Sequence, residues 1–118
     1  MVTGGSDGYG LDICQKLAKK GFNICMISRN EAKMQEKLAE IAHLVETKYI
    51  VANFFEMTKI ADYERIATEL KSLDVALLFL NAGVIQLGPF SEIPNYRVQA
   101  VMNINAIHPM YMAKVMVN

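Results

Sequence analysis

Apolar residues fall along this chain in two alternating rhythms. Short, nearly continuous apolar runs are strand-like. They are Asn23 to Ser28, Lys48 to Asn53 and Asp74 to Leu80, preceded by the apolar lead Met1-Val2. Between them, apolar positions recur at three- and four-residue steps, as on one face of a helix. Leu11, Cys14, Leu17 and Ala18 mark a first helix from about Gly10 to Lys20, with Gly21 where a C-terminal cap belongs. Met34, Leu38, Ile41 and Val45 mark a second, opened by Asn30 as N-cap and Glu31 in the first turn, and running to about Glu46. Tyr63, Ile66, Ala67 and Leu70 mark a third, from about Ile60 to Ser72. After a loop with Gly88, Pro89 and Pro94, a helical pattern returns near Tyr96 and runs to the last residue, with Pro109 expected to kink it.

The order β-α-β-α-β-α-β-α predicts an α/β fold: a Rossmann-type, doubly wound parallel sheet. Right-handed crossovers give the strand order 3-2-1-4. Strands that are apolar throughout agree with a sheet covered on both faces. Met1 to Thr3 is short for a central strand, so the chain is expected to begin inside an element. Residues 1–118 are read as one partial, truncated dinucleotide-binding domain with no internal linker.

Composition narrows the picture modestly. Of 118 residues, 53% are hydrophobic and the formal net charge is zero, so the chain can bury a core and shows no electrostatic footprint for nucleic acid. Two cysteines, Cys14 and Cys25, sit on a predicted helix and strand and are expected to be buried thiols of a reducing compartment. No apolar run approaches a membrane span. His43 is expected on the surface of the second helix, and neither it nor His108 has metal-ligand spacing or a nucleophile partner.

Chemistry is expected where the strand ends gather. The first is the stretch Thr3-Gly4-Gly5-Ser6-Asp7-Gly8-Tyr9-Gly10 between strand and helix. Glycines at Gly4, Gly8 and Gly10 let the backbone turn tightly and let a pyrophosphate approach, and the N–H groups opening the next helix point at the anion. Ser28, Arg29 and Asn30 end the second strand. A carboxylate there would hold a ribose 2′-hydroxyl; a guanidinium instead grips a 2′-phosphate, with Ser6 and Asn30 adding donors, so NADPH is favoured over NADH. Asn53 and Phe54 end the third strand, where the Asn53 amide either meets an adenine edge or satisfies its own turn. Asn81, Ala82 and Gly83 end the fourth. Gly83 would let the backbone pass close to a ribose, and Asn81 either pins the loop to a neighbouring strand or contacts the cofactor.

These residues resemble the short-chain dehydrogenase/reductase family over essentially the whole chain. Thr3-Gly4-x-x-x-Gly8-x-Gly10 looks like its cofactor motif, Asn81-Ala82-Gly83 like its strand-4 motif, and Met102-Asn103-Ile104-Asn105-Ala106 like its helix-4 segment. Gly5-Ser6-Asp7-Gly8 and Ile27-Ser28-Arg29 are similar to the branch of 17β-hydroxysteroid dehydrogenases and very-long-chain 3-oxoacyl-CoA reductases. The resemblance implies NADPH-dependent reduction of a ketone, 3-oxoacyl or steroid carbonyl, a small carbonyl or lipid-like substrate, and a cytoplasmic or endoplasmic-reticulum setting. It assigns Asn105 to a proton relay, at a bend where a freed carbonyl could hold water. The family's Ser and Tyr-x-x-x-Lys have no counterpart here: Tyr111 and Lys114 are one residue too close and on the wrong helix. Leu80 stands where the family usually has a first Asn, and Tyr9 where it has Ile, a larger ring with room to pack beneath the loop and counted among the cofactor-binding residues. The chain is therefore expected to hold the cofactor half of a reductase and to transfer hydride poorly by itself. Val75, Leu77, Phe79, Val98 and Met102 would leave an apolar edge calling for further chain, a partner subunit or a second copy. The competing expectation is a catalytically inactive relative serving as a binding or structural subunit.

Overall fold

The computed structural model describes residues 1–117, which form two compact units. The first unit comprises residues 1–52 and 75–82. Three parallel strands, β1 (Val2–Thr3), β2 (Ile24–Ser28) and β3 (Thr47–Val51), lie in the order β1-β2-β3. Val2 lies beside Met26, and Ile24 through Ser28 run beside Thr47 through Val51. The fourth expected strand occupies its place beyond β1 but pairs through a single parallel bridge, Val2 to Phe79. Thr3 N–H donates to Phe79 O at 3.0 Å and Phe79 N–H to Met1 O at 2.9 Å. The order 3-2-1-4 therefore holds for the segments, while residues 74–80 fall short of the predicted strand. Leu77 is exposed, and Val75 and Phe79 are half-buried.

Helices α1 (Gly8–Lys19) and α2 (Glu31–Ala39) belong to the same unit. Their apolar stripes close over Val2, Ile24 and Met26, placing Cys14, Ala18, Met34, Leu38 and Ile41 in one buried cluster. Cys25 and Ile27, on the alternate face of β2, are buried too, as the unbroken apolar run anticipated. Helix α1 ends in a Schellman turn. Gly21 N–H donates to Ala18 O at 2.9 Å and Phe22 N–H to Leu17 O at 3.1 Å, with Gly21 at φ +89°.

Helix α2 begins as expected, with Asn30 Oδ1 accepting from Lys33 N–H at 3.0 Å. It stops at Ala39, seven residues before the expected end. The sequence that follows is good helix former, but Ile24 N–H needs the Glu46 carbonyl (3.0 Å) and Asn23 Oδ1 takes the Glu46 N–H (3.1 Å). The chain tightens into i→i+3 turns at Ile41 and Leu44 so that Thr47 can enter beside Ile24. Sheet pairing overrides local propensity there. His43 is exposed as expected, but in these turns rather than on the helix.

The second unit comprises residues 53–74 and 83–118, of which Asn118, the end of the last expected helix, lies outside the described residues. Helix α3 (Ile60–Leu70) turns Tyr63, Ile66 and Leu70 inward, with Ala67 half-buried, and Asp62 reaches back to the Lys59 N–H at 3.1 Å. A single 3₁₀ turn at Phe90–Glu92 precedes α4 (Asn95–Met102). A π turn, Asn103–Ile107, then leads into α5 (His108–Met116). The expected disturbance at Pro109 thus takes the form of a π turn just before it. Phe54, Tyr63, His108 and Tyr111 form an aromatic cluster: Phe54 stacks on Tyr63 at 6.2 Å and meets the tilted His108 ring at 4.0 Å, and Tyr63 meets Tyr111 edge-on at 5.5 Å. Val98 is half-buried and Met102 exposed.

Candidate cofactor site

In the first unit the glycine loop is held from three directions. Gly4 N–H donates to Ile27 O at 2.8 Å. Asn81 Nδ2 donates to Thr3 O at 3.2 Å and Gly4 O at 3.4 Å, and Ala82 N–H donates to the Thr3 hydroxyl at 3.1 Å. Asn81 therefore takes the loop-pinning alternative. The fit is close enough to specify glycine. A Cβ on Gly10 would collide with the Gly4 carbonyl and lie 2.5 Å from Asn81 Nδ2, and one on Gly4 would lie 3.0 Å from Ala82 Cα. Gly4 also has φ +65°, a left-handed conformation that costs side-chain residues energy.

The loop delivers the chain to α1 at Gly8, which sits at φ +49° with open space where a Cβ would point. Asp7 caps the helix, its Oδ1 accepting from Gly8 N–H at 2.8 Å. The first α-type bond runs from Leu11 N–H to Asp7 O at 3.1 Å, so the amides just before Leu11 have no carbonyl a turn back. The first turn of α1 carries no acidic side chain. This end of α1 is chemically suited to an anion. Tyr9 is 86% exposed, its ring in solvent rather than beneath the loop. With Leu11 and Cys14 already turned inward, helical geometry sends position 9 outward.

At the end of β2, Ser6 is buried and its hydroxyl lies 3.1 Å from that of Ser28. Arg29 and Asn30 are exposed beside them. No carboxylate stands at the β2 terminus; the nearby Asp7 is engaged by Lys33 Nζ at 2.6 Å. The Lys33 ammonium, then the Gly8 N–H, hold the Asp7 carboxyl below its ordinary range. Lys33 and Thr3 were not among the expected site residues. The four-residue step from Arg29 to Lys33, one turn along, was the available signal for the first; for Thr3 it was a hydroxyl directly before Gly4.

The remaining candidates lie in the second unit. Asn53 satisfies its own turn: Oδ1 accepts from Phe55 N–H at 3.3 Å and its carbonyl from Glu56 N–H at 3.0 Å. The Phe54 ring is buried in the aromatic cluster, so an approaching ligand would meet its backbone rather than its ring. Gly83 is exposed. Asn105 lies in the π turn and clasps Val84 twice, Oδ1 accepting from Val84 N–H at 2.9 Å and Nδ2 donating to Val84 O at 2.7 Å. Asn103, two residues earlier, is buried; its Nδ2 donates to Phe55 O at 2.7 Å and its Oδ1 accepts from Gln99 at 2.8 Å. Sequence reasoning passed over this second Asn. Burial pushes the Tyr63 phenol up to about 12 and the His108 imidazole down to about 4. Among the described residues no group of His, Cys, Asp and Glu could hold a metal ion, and no helix is long and apolar enough to cross a membrane.

A nicotinamide dinucleotide fits this donor set. The loop and the α1 terminus offer backbone N–H groups to a pyrophosphate, and Ser6, Ser28, Arg29 and Asn30 carry hydrogen-bonding groups at the strand end. Comparison with known proteins agrees. A family described as short chain dehydrogenase matches residues 1–118. The very-long-chain 3-oxoacyl-CoA reductase of Pyricularia oryzae is 37% identical over 112 residues, covering 91% of this chain and 34% of that protein. The human inactive hydroxysteroid dehydrogenase-like protein 1 is 38% identical over 109 residues, covering 89% of this chain and 32% of that protein. The chain thus spans about a third of the length of the curated relatives it matches. A short-chain dehydrogenase from Sphingobium yanoikuyae, solved with NADPH, shares the fold at a TM-score of 0.83 with 20% identity, covering 97% of this chain and 44% of that one.

Proposed function

The chain belongs to the short-chain dehydrogenase family, and from that premise we propose that it is the cofactor-binding part of an NADPH-dependent carbonyl reductase. The observation that carries the reading is the end of β2, where Ser28 and Arg29 stand in place of a carboxylate and the Ser6 hydroxyl lies 3.1 Å from that of Ser28. Arg29 would grip a 2′-phosphate through charge-assisted hydrogen bonds, and an Asp or Glu in its place would repel it. Gly4, Gly8 and Gly10 would admit the pyrophosphate, with Asp7 and Tyr9 flanking it and Asn81 and Ala82 holding the loop's shape.

The cofactor supplies hydride when bound. This chain's own residues bind and orient it. Asn105 is read as a relay residue. Its side chain is committed to Val84, so its contribution would be the backbone carbonyl. The substrate class favoured by the similarity to 3-oxoacyl-CoA reductases is a lipid-like ketone or 3-oxoacyl thioester, and the matching compartment is a reducing one, cytoplasmic or at the endoplasmic reticulum. A partner subunit or second copy covering residues 75–80 belongs to the same proposal.

One observation favours a second reading. The human relative at 38% identity is named inactive. On that reading the chain binds cofactor within an assembly and reduces nothing. The two separate in one assay. The native polypeptide, isolated from its source, is weighed intact and given NADPH with a long-chain 3-oxoacyl-CoA. NADPH consumption by a heavier polypeptide carrying Ser and Tyr-x-x-x-Lys supports the reductase. Tight NADPH binding without turnover, at the mass of these 118 residues, supports the binding subunit and contradicts the reductase.

A further inference from the structure

We propose that His108 is a positioning residue: its ring N–H replaces the backbone donor that Pro109 lacks, and so holds the π turn that carries Asn105 against Val84. The register of the turn makes the need visible. His108 N–H donates to Asn103 O, five residues back. The next carbonyl in that register, Ile104 O, would look to residue 109 for its donor. Residue 109 is proline and has none.

The His108 side chain bends back over its own helix, with Nδ1 3.2 Å from Ile104 O. A carbonyl only accepts, so the ring must carry its proton on Nδ1. Nε2 is then left with a bare lone pair, and it is buried without a hydrogen-bond partner. An unpaired buried acceptor is unfavourable, and Phe would fill the same space against Phe54 without it. What histidine adds over phenylalanine at this position is the Nδ1–H. The other supports of the turn are already accounted for: Asn103 ties it to Phe55, and Asn105 spends both side-chain atoms on Val84. The π turn is thus fastened by one side chain at its start, one at its middle and one just beyond its end.

This inference rests on the reading of Asn105 as a relay residue, and its test is chosen to fail separately. Nitrogen-15 NMR of the wild-type chain reports the His108 tautomer. Hydrogen exchange of the Val84 amide, whose proton Asn105 holds, reports the clasp. The expected results are an Nδ1–H tautomer, Val84 exchange about tenfold faster in His108→Phe with Met26 exchange in β2 unchanged, and recovery to near wild type in His108→Asn, whose amide can donate to the same carbonyl. In an active native polypeptide, His108→Phe lowers kcat with KM unchanged. An Nε2–H tautomer in the wild type overturns the proposal whether or not the variants fold. So does unchanged Val84 exchange in a folded His108→Phe, or no recovery in His108→Asn. Failure of the chain to bind NADPH would sink the proposed function while leaving the tautomer and exchange results to stand.

Discussion

Acid should weaken this protein through one imidazole. His108 has no exposed surface, and burial lowers its pKa to about 4, against about 6.5 in an unfolded chain. Above pH 7 the ring is neutral in both states and makes no difference. As pH falls below 6.5 the unfolded chain takes up a proton that the folded one refuses, so stability drops by about 1.4 kcal/mol per pH unit until the folded pKa is reached. Between pH 7.5 and 5.0 the loss is about 2 kcal/mol, and the full loss below pH 4 is about 3 kcal/mol. With a urea slope of about 2 kcal/mol per molar, the first figure moves the midpoint by about 1 M. The assay is urea unfolding followed by tyrosine fluorescence, since the chain has five Tyr and no Trp and two of those rings sit in the His108 cluster. Carboxylates also titrate across this window, so the same curves are measured for His108→Phe and subtracted. A difference of about 2 kcal/mol that vanishes in the variant supports the account. Parallel pH dependence in the two proteins would refute it, because it would mean the ring is charged or hydrated in the native state.

Three further outcomes follow from the first unit. Gly10→Ala drives a methyl into the Gly4 carbonyl and Asn81. It should cost about 1–3 kcal/mol of stability and abolish the melting-temperature rise that NADPH gives the wild type. Asn30→Ala removes the cap on Lys33 N–H and should cost about 1 kcal/mol in urea unfolding. Arg29→Glu should weaken NADPH binding at least tenfold, on the order of 1.4 kcal/mol, and leave NADH binding the same or tighter; calorimetric titration reads both.

The parts of this structure legible in the sequence are those that local chemistry decides. Asn30 caps because its short side chain brings Oδ1 within 3.0 Å of the Lys33 N–H, and Gly21 ends α1 because it tolerates φ +89°. The glycine loop, the buried β2 and the inward stripes of α1 and α3 follow from spacing alone. The differences arise where distant segments meet. α2 stops at Ala39 because β2 claims Glu46, and residues 74–80 pair through one bridge, Val2 to Phe79. At the candidate site, the loop contacts of Asn81 were foreseeable from its place after a buried strand. Thr3, Asn103 and His108 were not, since each acts through a partner far away in sequence or through a proline's missing N–H.

The most direct test is calorimetric titration of the 118-residue chain with NADPH and, separately, NADH. Binding of NADPH at least tenfold tighter than NADH, with the preference lost in Arg29→Glu, is the predicted result. Absence of binding by either cofactor, or equal or tighter binding of NADH, would contradict the assignment of Ser28 and Arg29 as the 2′-phosphate site.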